Sequence, residues 1–205
     1  MKKFITGIFV SIVMFTAASA NATTENYGTL LAGTYQPSAS FASLSATGSG
    51  NVYTFTLTGL NLDSLFTNGA FIGSIAVDTN PDLKLTGKNH DTVSISSVTG
   101  GATVGTGNGK GPGGNWDFQF DLGNSGVSRL TSGESVSWTA TFSKPVTFAD
   151  VGFALHVQGL TPAEGGSAWY VAGSPITAAV PEPSTYLMLL AGLGIIGFVS
   201  KRRLS

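Results

Sequence analysis

Apolar and polar residues alternate with a period of two through most of the chain between residues 23 and 178. Over 116–122 (WDFQFDL), Trp116, Phe118, Phe120 and Leu122 fall on one face and Asp117, Gln119 and Asp121 on the other, as in a half-buried strand. Residues 135–142 repeat the pattern with Val136, Trp138, Ala140 and Phe142 inward, and 151–157 groups Val151, Phe153, Leu155 and Val157. Over 53–58 the apolar set is Tyr53, Phe55 and Leu57, and the polar set is Thr54, Thr56 and Thr58. Further strands are predicted over 28–35, 71–77, 92–98 and 167–172, separated by Gly, Asn, Ser and Pro turns at 48–51, 100–115 and 123–126. A period of 3.6 is absent except for a short helical turn over 60–66. Eight or so short strands with turn punctuation predict an all-β fold, an antiparallel β-sandwich of jelly-roll type. No repeat of fixed period is present, which argues against a solenoid.

The two ends break this pattern. Lys2 and Lys3 precede an apolar run over 4–16, followed by Ala18-Ser19-Ala20 and Ala20-Asn21-Ala22, each with the small-x-small spacing of a cleavage site. Residues 1–22 therefore read as a secretory signal helix, removed by signal peptidase, and 23–178 as the exported domain. Residues 179–205 form a third segment. Within it Pro181-Glu182-Pro183 precedes an apolar stretch, with a membrane-spanning helix predicted over 185–200, and Lys201, Arg202 and Arg203 follow. A helix needs about 20 residues to cross the hydrocarbon core, so this span is marginal. The three cations hold their end in the cytoplasm by the positive-inside rule, which leaves the domain outside. The prolines bar a helix upstream and display Glu182 in extended backbone.

Motif, apolar span and terminal cations, in that order, resemble the PEP-CTERM sorting signal of Gram-negative bacteria. The resemblance covers about 25 residues and implies recognition near Pro181, Glu182 and Pro183 by an exosortase, in bacteria that make exopolysaccharide and biofilm. It implies transient anchoring in the inner membrane, then placement at the cell surface or in the extracellular matrix. The segments 154–160 and 165–169 also resemble a stretch recurring in proteins with this tail, and imply no activity.

Composition narrows the chemistry. Charged residues make up 10% of the chain against about 25% in an average soluble domain, so the surface is neutral and rich in hydroxyls. The chain has no cysteine, which excludes disulfides, thiolate metal sites and a Cys nucleophile. Between residues 23 and 180, ten acids stand against five bases, a net charge of −5. An acidic domain without a basic stripe argues against nucleic acid as a ligand. The glycine-rich stretch 105–114 fails as a phosphate loop, because Val104 stands at the first glycine position and Gly111 follows Lys110. Asp78, Asn80 and Asp82 are spaced like the start of a calcium loop, but Leu83 and Asn89 stand where the turn glycine and the bidentate glutamate belong. They remain weak metal candidates, and no cofactor is expected.

His90 and His156 have no identifiable nucleophile or carboxylate partner in the sequence, and Asp117 and Asp121 lie about 13 Å apart on one strand, wider than a glycosidase pair. No enzyme activity is expected. Two features suit binding instead. Thr54, Thr56 and Thr58 form a hydroxyl ladder like the threonine arrays of some ice-binding proteins, and Trp169 and Tyr170 offer stacking faces for sugar rings. The chain reads as an exported surface or matrix protein sorted by exosortase, with a structural or interaction role in exopolysaccharide. The alternatives are a carbohydrate- or ice-binding module and, further off, a matrix glycan hydrolase using an acid such as Asp117 or Glu134.

Overall fold

The computed structural model describes residues 21–67 and 69–173. The strands are β1 (Asn21–Ala32), β2 (Ala42–Ser49), β3 (Val52–Gly59), β4 (Phe71–Asn80), β5 (Val93–Gly100), β6 (Val104–Gly107), β7 (Phe118–Leu122), β8 (Ser135–Phe142), β9 (Thr147–Gln158) and β10 (Ser167–Ala172). One helical turn, α1 (Leu62–Leu65), lies between β3 and β4, where a short turn is predicted. Among the described residues no helix is long and apolar enough to cross a membrane. Residues 1–20 of the predicted signal helix, the 185–200 span and the Pro181-Glu182-Pro183 and Lys201-Arg202-Arg203 motifs lie outside the described residues; Asn21 and Ala22, assigned to the signal segment by the sequence, instead begin β1 and pair with Gly48 and Thr47.

All ten strands join one antiparallel sheet in the order β5-β8-β3-β2-β1-β10-β9-β4-β7-β6, nearly closed in a barrel-like shape. Here β1 is long enough to serve both halves, pairing with β2 over Asn21 to Tyr27 and with β10 over Tyr27 to Ala32, with register shifts between Tyr27 and Thr29 and between Leu30 and Ala32. Such irregularities bend a strand and carry hydrogen bonding around a corner, so one ladder runs through both halves of the predicted sandwich.

The inward residues of the alternating pattern fill the interior. Phe55 of β3 stacks on Trp138 of β8 at 5.3 Å and meets Phe120 of β7 at 5.3 Å and Phe153 of β9 at 5.8 Å across the core. Phe55, Phe120 and Trp138 are fully buried. Two alternation assignments do not hold. Trp116 precedes β7, is only half-buried, and packs near Gly111 and Ala76 on the outer side, with its indole N–H donating to the Pro112 carbonyl at 3.1 Å. Val151 is 52% exposed, because the register between β4 and β9 shifts between Val77 and Thr79 and resets the alternation.

Strands β5 and β6 end the sheet on either side and are not hydrogen bonded to each other. Three residues connect them, so they meet at one end of a seam and leave its other end free. The segment between β4 and β5 packs there, with Leu83 buried and Leu85 resting against the core.

Candidate functional site

The outward residues of five adjacent strands form rows made mostly of hydroxyls, with Ala22 and Asn26 at the β1 ends of two of them. One row runs Ala22, Thr47, Thr54, Thr139 and Ser96 across β1, β2, β3, β8 and β5. The next runs Thr24, Ser45, Thr56, Ser137 and Thr99, and a third Asn26, Ser43, Thr58 and Ser135. None of these residues is charged. The sequence ladder of Thr54, Thr56 and Thr58 is thus the middle column of a lattice, spaced about 4.8 Å across strands and about 6.7 Å along them.

Neighbouring hydroxyls hold one another. Thr24 donates to Ser45 at 3.3 Å and Thr56 to Ser137 at 3.1 Å, while Thr58 and Ser135 share a bond of 2.8 Å and Thr54 and Thr139 one of 3.4 Å. Ser137 in turn donates to the Phe55 carbonyl at 2.9 Å. A hydroxyl has one donor and two acceptor positions, so these contacts orient the side chains and leave capacity for a ligand. The lattice was missed from sequence because the β2 and β8 hydroxyls join the threonines only through strand register.

A second surface lies on the far side of the sheet. Trp169 of β10, His156 of β9, Ser74 of β4 and Asp121 of β7 are paired in succession and point outward. Gln158 Nε2 and His156 Nδ1 lie 3.2 Å apart. Burial holds the His156 imidazole below its ordinary pKa and pushes the Asp121 carboxyl up. Tyr170, paired with Trp169 in the sequence reading as a stacking face, points inward instead. It is fully buried, its hydroxyl donates to the Tyr35 carbonyl at 2.8 Å, and burial raises its pKa. Adjacent residues on a strand face opposite ways, so only Trp169 remains accessible.

The acids gather without forming a metal centre. Burial, then Asp117 and Asp82, push the Asp78 carboxyl up. Asn80 lies at the end of β4 and its carbonyl accepts from Thr147 Oγ1 at 3.3 Å; the Asp82 carbonyl accepts from Lys144 Nζ at 3.0 Å. Among the described residues no three of His, Asp and Glu are placed to hold a metal ion. Asp117 Oδ2 accepts from Thr79 N and Leu83 N, each at 3.0 Å, and from Thr79 Oγ1. Glu134 Oε2 accepts from Thr131 N and Oγ1, each at 2.8 Å. His90 Nδ1 lies 3.3 Å from the Gly87 carbonyl in its turn.

Residues 179–203 match the family model described as the PEP-CTERM protein-sorting motif. The motif implies export and surface sorting through an exosortase, which is its processing partner. No curated protein and no solved structure matches the chain.

Proposed function

We propose that this exported, exosortase-sorted chain acts in the extracellular matrix as a non-catalytic interaction protein whose hydroxyl lattice adheres to neutral exopolysaccharide. The observation that carries this reading is the uncharged array, Ser and Thr at all positions but Ala22 and Asn26, across β1, β2, β3, β8 and β5. A single hydrogen bond exchanged with water contributes only about 0.5–1.5 kcal/mol. A polymer that presents hydroxyls repeatedly gains by making many such bonds at once, and a regular lattice suits it. Before processing, the 185–200 segment holds the chain in the inner membrane with Lys201, Arg202 and Arg203 inside. After signal peptidase and exosortase have acted, the domain belongs to the surface or matrix.

The test is a pull-down of the protein recovered from its host's extracellular fraction on isolated neutral exopolysaccharide. Retention of the wild type and its loss in the Thr54→Val, Thr56→Val, Thr58→Val variant is expected. Equal retention of both would overturn the assignment of the lattice. Release of smaller sugars from the polymer would replace a binder with a hydrolase. The regular spacing of the rows favours one second reading, ice binding, for which thermal hysteresis lost in the same variant is the distinguishing measurement.

A further inference from the structure

The free end of the β5–β6 seam opens into two adjoining cavities of about 170 Å³ each. Leu85 and Asn108 line both; Lys84, Thr86, Lys110 and Asp117 are among the others in the first, and Asp91 lines the second. Sites that enclose a whole small molecule measure about 300–1,000 Å³. Each cavity is smaller, which suits one substituent of a larger ligand.

The charge here differs from the rest of the domain. Of the five cations between residues 21 and 173, Lys84 and Lys110 line the first cavity and Lys144 reaches the Asp82 carbonyl beside it, whereas Arg129 sits elsewhere, over the Phe71 ring. Lys144 is engaged with Asp91 at 3.1 Å. The ammonium groups of Lys84 and Lys110 have no acceptor among the described residues. Asp117 is the one acid lining the first cavity, so two lysines stand against one carboxylate there, and that carboxylate is shared among three donors. The second cavity adds Asp91, which Lys144 engages, so it is the first cavity whose lining is net positive on a domain that is net negative.

The cleft is also held in shape. The Asp91 amide donates to the Lys84 carbonyl at 2.7 Å, the Lys84 amide donates back to Asp91 Oδ2 at 3.0 Å, and Ser143 N reaches the Thr92 carbonyl at 2.9 Å. The backbone that carries Lys84 is thus fixed before any ligand arrives, which lowers the ordering cost of binding.

We propose that the seam cleft binds the carboxylate of an acidic sugar in a polymer through Lys84 and Lys110, with Thr86 and Asn108 supplying neutral hydrogen bonds. The site is separate from the hydroxyl lattice and does not rest on what that lattice binds. The exported protein is titrated with oligogalacturonate, with a neutral glucose oligomer of equal length and with inorganic phosphate. Binding of the uronate oligomer is expected, weakened at least about tenfold in Lys84→Gln, Lys110→Gln and unchanged in Arg129→Gln. It should also fall as salt rises.

Equal affinity for the neutral oligomer, or a double variant that binds as the wild type does, would overturn the proposal. Phosphate binding at the same lysines as tightly as the uronate overturns the sugar assignment. Loss of uronate binding in the Thr54→Val, Thr56→Val, Thr58→Val variant alone moves the acidic sugar to the lattice and sinks the cleft. Unchanged thermal unfolding of the lysine variants, whose side chains are exposed, separates lost binding from lost fold.

Discussion

The indole of Trp169 lies flat against the imidazole of His156, ring centroids 4.4 Å apart and planes 2° from parallel. The contact joins β9 to β10 on the outer face and leaves His156 poorly hydrated, which lowers its pKa. The residues facing it are Trp169, Gln158 and Ser74, with Asp121 one strand further on. In the unfolded chain a histidine takes its proton near pH ~6.5, while the folded state resists to lower pH. The stability from neutral His156 is therefore full above that value and falls as pH drops toward the folded pKa. The urea midpoint should decrease between pH 7.5 and 5.5, and His156→Gln should flatten that part of the profile.

Phe55 is the centre of the core. It touches Trp138, Phe120, Phe148 and Phe153 from three other strands. Phe55→Ala should cost about 3–5 kcal/mol, a large part of the roughly 5–15 kcal/mol that holds a domain folded. Chemical denaturation of the variant checks this, and a loss under ~1 kcal/mol would mean that the core does not close as described.

Asp117 ties the end of β4 to the segment that fills the seam. Thr79 is 3% exposed and Leu83 is buried, so Asp117→Ala strands two amides that now have an acceptor, while the Thr79 hydroxyl keeps the Pro81 carbonyl at 3.1 Å. A loss of about 1–3 kcal/mol is expected, together with faster amide hydrogen exchange at Thr79 and Leu83. Asp117→Asn, which keeps an acceptor oxygen, should recover part of it.

Gly100 closes the joined end of the seam with φ at +111°, and a Cβ there would stand 2.1 Å from the Ser135 carbonyl oxygen. Gly100→Ala must strain the backbone and push β5 from β8. It should destabilise by about 1–3 kcal/mol, whereas Gly50→Ala, strained by φ +65° but in open space, should cost less. Thermal unfolding of the pair decides.

Mass spectrometry of the protein from the extracellular fraction should show a new C-terminus near Pro181 to Pro183, within the matched motif. Cells lacking the exosortase should retain the longer species. An intact C-terminus in the extracellular protein of both strains would contradict processing at this motif.

Period-two alternation made the strand class legible because each inward residue of 135–142 meets the same core. Strand β6 (VGTG) was hidden inside a glycine-rich stretch read as loop, since four residues with two glycines carry no facial pattern. In β2 the inward set is Ala42, Leu44 and Ala46, too small to stand out from its hydroxyl neighbours. The single sheet could not be read at all, because the pairing of Leu30 with Tyr170 leaves no local mark. The same holds for the cleft, whose lysines lie 26 positions apart and meet only through the seam. The sorting motif was fully legible, since its chemistry is contiguous.

Strand β10 ends at Ala172 and Gly173 donates to the Asn26 carbonyl at 2.8 Å, so the sheet grips the chain almost up to the sorting segment. Seven residues separate Gly173 from Pro181, a reach of at most about 30 Å when fully extended. That leash is about as long as the bilayer's hydrocarbon core is thick. A processing enzyme that engages Pro181 therefore works in the shadow of the folded domain, with the β1–β10 corner facing it. Lengthening the leash with a Gly-Ser insert after Gly173 would relieve that crowding without touching either the fold or the motif.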